Sequence, residues 1–242
     1  MEKITFLIPV YNEEKTIGKA IEIVLGLKKI KNKEIIVIDN GSTDNSQAII
    51  KNFKNKSLKI IMRSSNLGYG ATIKEAAKLA TGKYMYIHFS DNEYDIKPVF
   101  KMIRLAKKYD LDAVFGSRLK NYTFLKKISL LKAKPSYLGT LIITTLYNVL
   151  YNKKFSDVIG SKFYKISSLK KVCKIDDDYF NYDFILKNRL ISGKFKIKEV
   201  LTKYKPRFTK NGNVKYYHII PAVYEIIKFK LINTIIRVNL KK

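Results

Sequence analysis

Apolar residues in the first 120 positions come in short continuous runs, separated by stretches whose apolar positions recur with a helical period. ITFLIPV (4–10), EIIVID (34–39), LKIIM (58–62), KYMYIHF (83–89) and DAVFGS (112–117) are runs of strand length. Their lack of polar alternation predicts strands buried on both faces. Between them the pattern predicts helices from Asn12-Glu13-Glu14 to about Leu27, and from the turn NGSTD to about Lys56. Two more are expected from NLGYG (66–70) to Ala80 and near 97–109. Alternation of this kind predicts an α/β fold, a Rossmann-like, mainly parallel sheet flanked by helices. Ligands of such sheets bind at the carboxyl ends of the strands, and each polar cluster of this half falls at such an end.

The second half is patterned differently. An uncharged run, PSYLGTLIITTLYNVLYN, lies between Lys134 and Lys153. A membrane span needs about 20 predominantly apolar residues, and this run is shorter and diluted by Pro, Gly, Thr and Asn. Leu138, Leu141, Ile142, Leu146, Val149 and Leu150 fall on one helical face, which predicts an amphipathic helix. Ile219, Ile220, Val223, Ile226, Ile227 and Leu231 repeat the pattern beside Lys215, Lys228 and Lys230. Each face suits either packing against the domain or a second subunit, or a membrane interface. The expected organisation is one domain over 1–210, with halves 1–120 and 121–210, and a C-terminal amphipathic helical extension over 211–242.

Composition narrows the classes. With 46% apolar residues the chain is not a disordered one. A single cysteine, Cys173, excludes an internal disulfide and a cysteine metal cluster. The N-terminal apolar run is too short for a secretory leader. The net charge of +28 favours anionic partners: a phosphorylated substrate or an anionic membrane surface. Only six of the 48 basic residues are arginine, and Lys, Ile and Asn are abundant together, so part of the charge follows a compositional bias. VKYYH interleaves Tyr and Lys, but no recognition helix or RNA-sheet signature accompanies it, so a nucleic-acid partner is not expected.

The candidate chemistry sits at the strand ends. Pro9 ends the first ladder because it has no N–H to donate. Tyr11 then offers a flat face for a base, and Glu13 either an acceptor for a ribose or base donor or, with Asn12, a helix cap. Asp39 ends the second strand, and Gly41 to Asp44 form a turn and cap. Gly68 and Gly70 make the third strand-to-helix turn glycine-rich. HFSDNEYD (88–95) packs three carboxylates, Asp91, Glu93 and Asp95, into five residues.

Taken in order, IPVYNEE, VIDNGSTD, NLGYGAT, ATGKYMYIHFSDNEYD, VFGSR, DVIGSKFYK and FNYDFILKNRLISGKFKIKEVLTKYKPR resemble family 2 glycosyltransferases. These are inverting enzymes of the GT-A fold, and the similarity is strongest to the polyprenyl-phosphate, dolichyl-phosphate mannose synthase-like branch. The resemblance implies a UDP- or GDP-linked sugar donor, gripped by Pro9, Tyr11, Glu13, Asp39, Gly68, Gly70 and Asp91. It also implies Mg²⁺ or Mn²⁺ on an Asp-x-Asp at the end of the fourth strand. Here Phe89 replaces the first aspartate and Asn40 the usual partner of Asp39, which leaves Asp91 and Glu93 as metal carboxylates. Arg118, Lys162 and Arg207 take positions of acceptor-phosphate contacts, Arg118 also a catalytic one, with Asp157 and Gly160 on the acceptor side.

Asp183 is the general base if the acceptor is a hydroxyl. If it is a polyprenyl phosphate, already anionic, no base is needed and Asp183 orients groups or binds the sugar. Asp176, Asp177 and Asp178 read as the cap of the helix carrying Asp183. The expected function is sugar transfer to a lipid-linked or envelope-glycan acceptor by a protein peripheral on the cytoplasmic face of a membrane, with homo-oligomerisation open. The alternative set by Phe89 is a degenerate binding module without turnover. A nucleotidyltransferase is disfavoured, since PVYNEE lacks a glycine- and arginine-rich signature.

Overall fold

The structure, a computed structural model, describes residues 2–133, 137–173, 182–193, 195–205 and 219–239. Five strands and four helices alternate first: β1 (Ile4–Val10), α1 (Ile17–Leu25), β2 (Lys33–Asp39), α2 (Ser46–Lys51), β3 (Leu58–Met62), α3 (Gly68–Leu79), β4 (Tyr84–Ile87), α4 (Val99–Tyr109) and β5 (Ala113–Ser117). There follow α5 (Phe124–Ala133), α6 (Tyr137–Tyr151), β6 (Lys162–Lys165), α7 (Ile166–Val172), α8 (Tyr182–Ser192), β7 (Ile197–Leu201) and α9 (Ile219–Asn239).

All seven strands form one sheet in the order β3-β2-β1-β4-β6-β5-β7. Successive residues of each central strand serve opposite faces, because side chains alternate along a strand. Phe6, Ile8, Tyr84 and Tyr86 pack against α1 and α4, whereas Leu7, Ile36, Met85 and Ile87 pack against α3, α7 and α8. Burying one such side chain contributes about 1.5–3 kcal/mol, so the continuous apolar runs specify a two-faced sheet. A third core forms where α6, α8 and α9 meet around Ile143, Tyr147, Phe184, Ala222 and Ile226.

One strand goes beyond the sequence reading: β6 lies between β4 and β5, antiparallel to both, pairing Ile87 with Lys162 and Phe115 with Lys162. The four-residue KFYK, charged at both ends, carries too little apolar pattern to announce a central strand. Helix α1 begins at Ile17, not at Asn12. Asn12 has φ +55° and its Oδ1 accepts from the Thr43 N–H at 2.8 Å, so it ties the end of β1 to the turn after β2 instead of capping a helix.

The expected apolar face of α6 is also divided. Gly139, Thr140, Ile143, Thr144 and Tyr147 turn inward, while Leu138, Ile142 and Val149 are exposed. The inward threonines have partners to satisfy: Thr140 Oγ1 accepts from Arg118 at 3.0 Å and Thr144 Oγ1 from the Val158 N–H at 3.3 Å.

Candidate active site

The strand ends are knitted into one rim. Ser90 Oγ donates to the Pro9 carbonyl at 2.8 Å, joining the exits of β4 and β1. Tyr11 is exposed beside them. The Glu13 N–H donates to Ser46 Oγ, and its carboxylate accepts from Thr16 Oγ1 at 2.6 Å.

Asp39 is fully buried. Its Oδ1 accepts from the N–H groups of Gly41 and Ser42 and from Gln47 Nε2. Its Oδ2 is buried without a hydrogen-bond partner among the described residues. A buried acceptor left open is unusual enough to point to a donor that the described residues do not supply. Gly41 makes this turn possible, with φ +77° and the Ser65 backbone 2.5 Å from where a Cβ would stand. Gly41→Ala is therefore expected to destabilise the protein by about 1–3 kcal/mol, read from the urea midpoint.

Asn40, the departure from the family pattern, has a structural task. It donates to Asn66 Oδ1 at 2.5 Å and accepts from Arg63 at 2.7 Å and from the Leu67 N–H at 3.2 Å. Arg63 also pairs with Glu75. The network holds the glycine-rich turn, where Gly68 has φ +86° and opens α3, with Gly70 buried in its first turn.

On the acidic loop, Asp91 Oδ1 accepts from the Glu93 N–H at 3.0 Å. The Glu93 carboxylate accepts from the Tyr204 hydroxyl. Backbone bonds from Lys205 N–H to the Glu93 carbonyl and from Asp95 N–H to the Lys203 carbonyl fasten the loop to the segment after β7. Both carboxylates are half-buried. Oxygen donors of this kind suit a hard cation that completes its shell with phosphate and water. Among the described residues no group of three or more His, Cys, Asp or Glu forms a metal site from protein alone.

Phe89 is packed, not vacant of purpose. It stacks on Tyr69 of α3 at 6.2 Å and against Tyr94 at 6.1 Å; Tyr94 in turn meets Tyr204 at 4.9 Å. The Arg118 guanidinium lies between Tyr204 and Tyr137, 5.3 and 5.1 Å from the ring centres. This row of rings runs across the strand ends from α3 to the start of α6. Tyr69, Tyr94 and Tyr204 were missed in the sequence, because rings from separated segments carry no common spacing.

Arg118 is 10% exposed, and its Nε and Nη2 hold both oxygens of fully buried Asp157 at 2.6 and 3.0 Å. Burial raises the Asp157 carboxyl, but Arg118 outweighs it and holds the group below the usual aspartate range. Asp157 is held in turn by its N–H to Glu199 at 3.0 Å. Lys162 is almost fully buried, and its ammonium donates to the carbonyls of Ile159 and Gly160. Burial pushes its pKa down to about 7. Arg207 and the run 176–178 lie outside the described residues.

Asp183 opens α8 with its side chain 24% exposed, in an ion pair with fully buried Lys187. Burial raises its pKa, but the charges of Lys162 and Lys187 win and keep it lowered. The Tyr69 hydroxyl is raised by burial and then by the Asp183 charge, and α8, which carries Asp183, packs on α3, whose Tyr69 stacks on Phe89. Lys187 was not singled out in the sequence, although its i,i+4 spacing from Asp183 is a recognisable signal.

Comparison with known proteins adds the following. The family described as Glycosyl transferase family 2 matches residues 5–173. An uncharacterized protein of Methanocaldococcus jannaschii is 32% identical over 190 residues, covering 74% of this chain and 78% of that protein. The poly-beta-1,6-N-acetyl-D-glucosamine synthase of Staphylococcus epidermidis is 30% identical over 214 residues, covering 86% of this chain and 49% of the synthase. The chain thus spans about half the length of that relative.

Among solved structures, glucosyl-3-phosphoglycerate synthase of Mycobacterium tuberculosis aligns with a TM-score of 0.62 at 16% identity, over 95% of this chain and 80% of that one. The same synthase in complex with Mn²⁺, UDP and phosphoglyceric acid aligns at 0.59, with 16% identity, over 95% and 78%. At such identity the likeness shows the fold, the α/β architecture read from the strand pattern.

Proposed function

The chain belongs to glycosyl transferase family 2, and from that premise we propose that it moves a sugar, with inversion, from a nucleoside-diphosphate donor to a hydroxyl of a lipid-linked or envelope-glycan acceptor. The observation that carries this reading is Asp183, a partly exposed carboxylate ion-paired with buried Lys187 on α8, the helix that packs on α3 and so on the side of Tyr69 and the acidic loop.

The open Oδ2 of Asp39 supports recognition of a nucleotide base, taking an N–H that the described residues do not provide. Tyr11 is exposed for stacking on that base, and the Gly68 turn admits close approach of a phosphate. Asp91 and Glu93 would hold a divalent cation, as the Mn²⁺ and UDP in the mycobacterial synthase support. When bound, such an ion neutralises charge developing on the departing diphosphate.

The chain's own work is then acid–base and orientation. The Asp183 carboxylate takes the proton of the acceptor hydroxyl as its oxygen bonds to the anomeric carbon. On the opposite face the bond from that carbon to the diphosphate oxygen breaks, and the nucleoside diphosphate leaves with the electron pair. Lys187 keeps the base aimed and ionised. Arg118, locked by Asp157, presents a fixed cation toward the acceptor side between Tyr137 and Tyr204.

Calorimetric titration of UDP and GDP, with and without Mn²⁺, tests the donor side. Metal-dependent binding is expected for the wild type, weakened about tenfold or more in Asp91→Asn, since a charge-assisted contact is worth about 1.5–3 kcal/mol. Absence of nucleotide binding in every condition would leave the degenerate binding module as the better reading.

A further inference from the structure

Ten of the fifteen large apolar side chains exposed among the described residues lie on three helices: two on α5, three on α6 and five on α9. They are arranged in stripes. On α6 the exposed positions are Leu138, Ile142, Thr145 and Val149, and on α9 Ile220, Tyr224, Ile227 and Leu231 lie along one side. Both follow the spacing of a single helical face. The helices are neighbours: α6 packs on α5 and α9, and a Cβ on Gly139 would stand 2.8 Å from Ile219.

Basic residues dominate the surroundings of the stripes. Residues 121–156 contain six lysines and no acidic residue, and Glu225 is the single acid of α9. On α9 Lys228 lies over the ring of exposed Tyr224 at 5.5 Å. Tyrosine and lysine paired at the margin of an apolar surface are the chemistry of a membrane–water boundary, with rings at the headgroups and ammonium groups reaching the phosphates.

We propose that the α5–α6–α9 surface docks in the plane of an anionic lipid bilayer, its stripes reaching the acyl boundary and its lysines the headgroups. Charge decides between occupants. A second copy would bring the same lysine-rich margin against this one, which is repulsive, whereas an anionic leaflet complements it. Among the described residues no helix is long and apolar enough to cross a membrane, so these helices would lie on the bilayer. Tyr137, at the start of α6, touches the Arg118 guanidinium, so docking would bring the bilayer close to the acceptor side of the site.

The test is flotation of the full chain with vesicles of phosphatidylcholine containing phosphatidylglycerol, against vesicles of phosphatidylcholine alone, at low and high salt. Expected is about tenfold or stronger partitioning to the anionic vesicles, largely lost at high salt. Lys126→Gln/Lys127→Gln should weaken it about fivefold per lysine removed. Val149→Glu, at a side chain 73% exposed, should abolish it with the urea midpoint unchanged. Equal partitioning to both vesicle types, or none, would overturn the proposal. So would a dimer in light scattering that Val149→Glu dissociates, since that would assign the surface to a second copy.

Discussion

Asp183→Asn is expected to lower turnover by about 10²–10⁴-fold, the usual range for removing a general base, while leaving nucleoside-diphosphate binding unchanged. The isosteric amide retains the hydrogen-bonding shape but cannot accept the acceptor's proton. One complication is physical: Lys187 is fully buried and loses its counter-charge, and an ammonium stranded in the interior is costly. The double variant Asp183→Asn/Lys187→Met separates the two effects, because removing both charges relieves the stranded cation without restoring a base. Recovery of the urea midpoint without recovery of turnover is the expected pattern.

The pH profile supplies a second reading of the same site. A base whose carboxyl is held below the usual range stays ionised through neutrality, so the acid limb of kcat should fall below pH about 4. In Lys187→Met that limb should move upward, since burial then acts with one opposing cation fewer. If Asp183→Asn turns over at the wild-type rate with a polyprenyl-phosphate acceptor, the nucleophile arrives as an anion and the hydroxyl-acceptor reading fails.

The largest effect on stability is expected from Asp157→Ala. This substitution removes both acceptors of the Arg118 fork and leaves a guanidinium that is 10% exposed without its partner. Breaking a buried pair in this way costs about 3–5 kcal/mol, a third or more of the 5–15 kcal/mol that holds a typical domain together. Urea denaturation should show the midpoint falling with little change in slope. Arg118→Lys, with Asp157 in place, should lose only part as much, since an ammonium keeps the charge but not the two parallel bonds.

The sign with pH follows from the lowered Asp157 carboxyl. Its contribution is fully present above the unfolded aspartate value of about 3.9, and is lost as pH falls through the folded value. Asp157→Ala should therefore show a flatter acid limb of stability than the wild type below pH 4. A wild-type midpoint in this variant would mean that Thr140 and the flanking rings alone satisfy Arg118.

Most of the first 120 residues was legible because their signals are local. Strands β1 to β5 are apolar runs, and turns such as NGSTD and NLGYG carry the residues that their backbone conformations require. Asp39, Asp91 and Glu93 stand at strand ends, where chain order alone suggests a ligand. The chain after residue 120 was less legible because its features depend on partners distant in sequence. Arg118 reads as a phosphate contact, and its tie to Asp157, 39 positions on, is invisible until the fold brings the two together. Lys162 reads as an acceptor-phosphate contact, and only the place of β6 between β4 and β5 shows that its side chain is buried. Phe89 reads as a lost ligand until Tyr69 and Tyr94 are placed on either side of it.

By itself the sequence determined the strand–helix alternation, the face each apolar residue serves within its own strand, and the ordered motifs that mark the family. These follow from backbone sterics and side-chain periodicity, which act over a few residues. Only the tertiary structure decided the strand order, the outward turn of the α6 apolar stripe, and which charges are spent on one another. Those outcomes depend on which buried polar groups find partners when remote segments meet. Thr140 and Thr144 turn inward because Arg118 and the Val158 N–H need acceptors there, and the larger apolar side chains of α6 are left facing out.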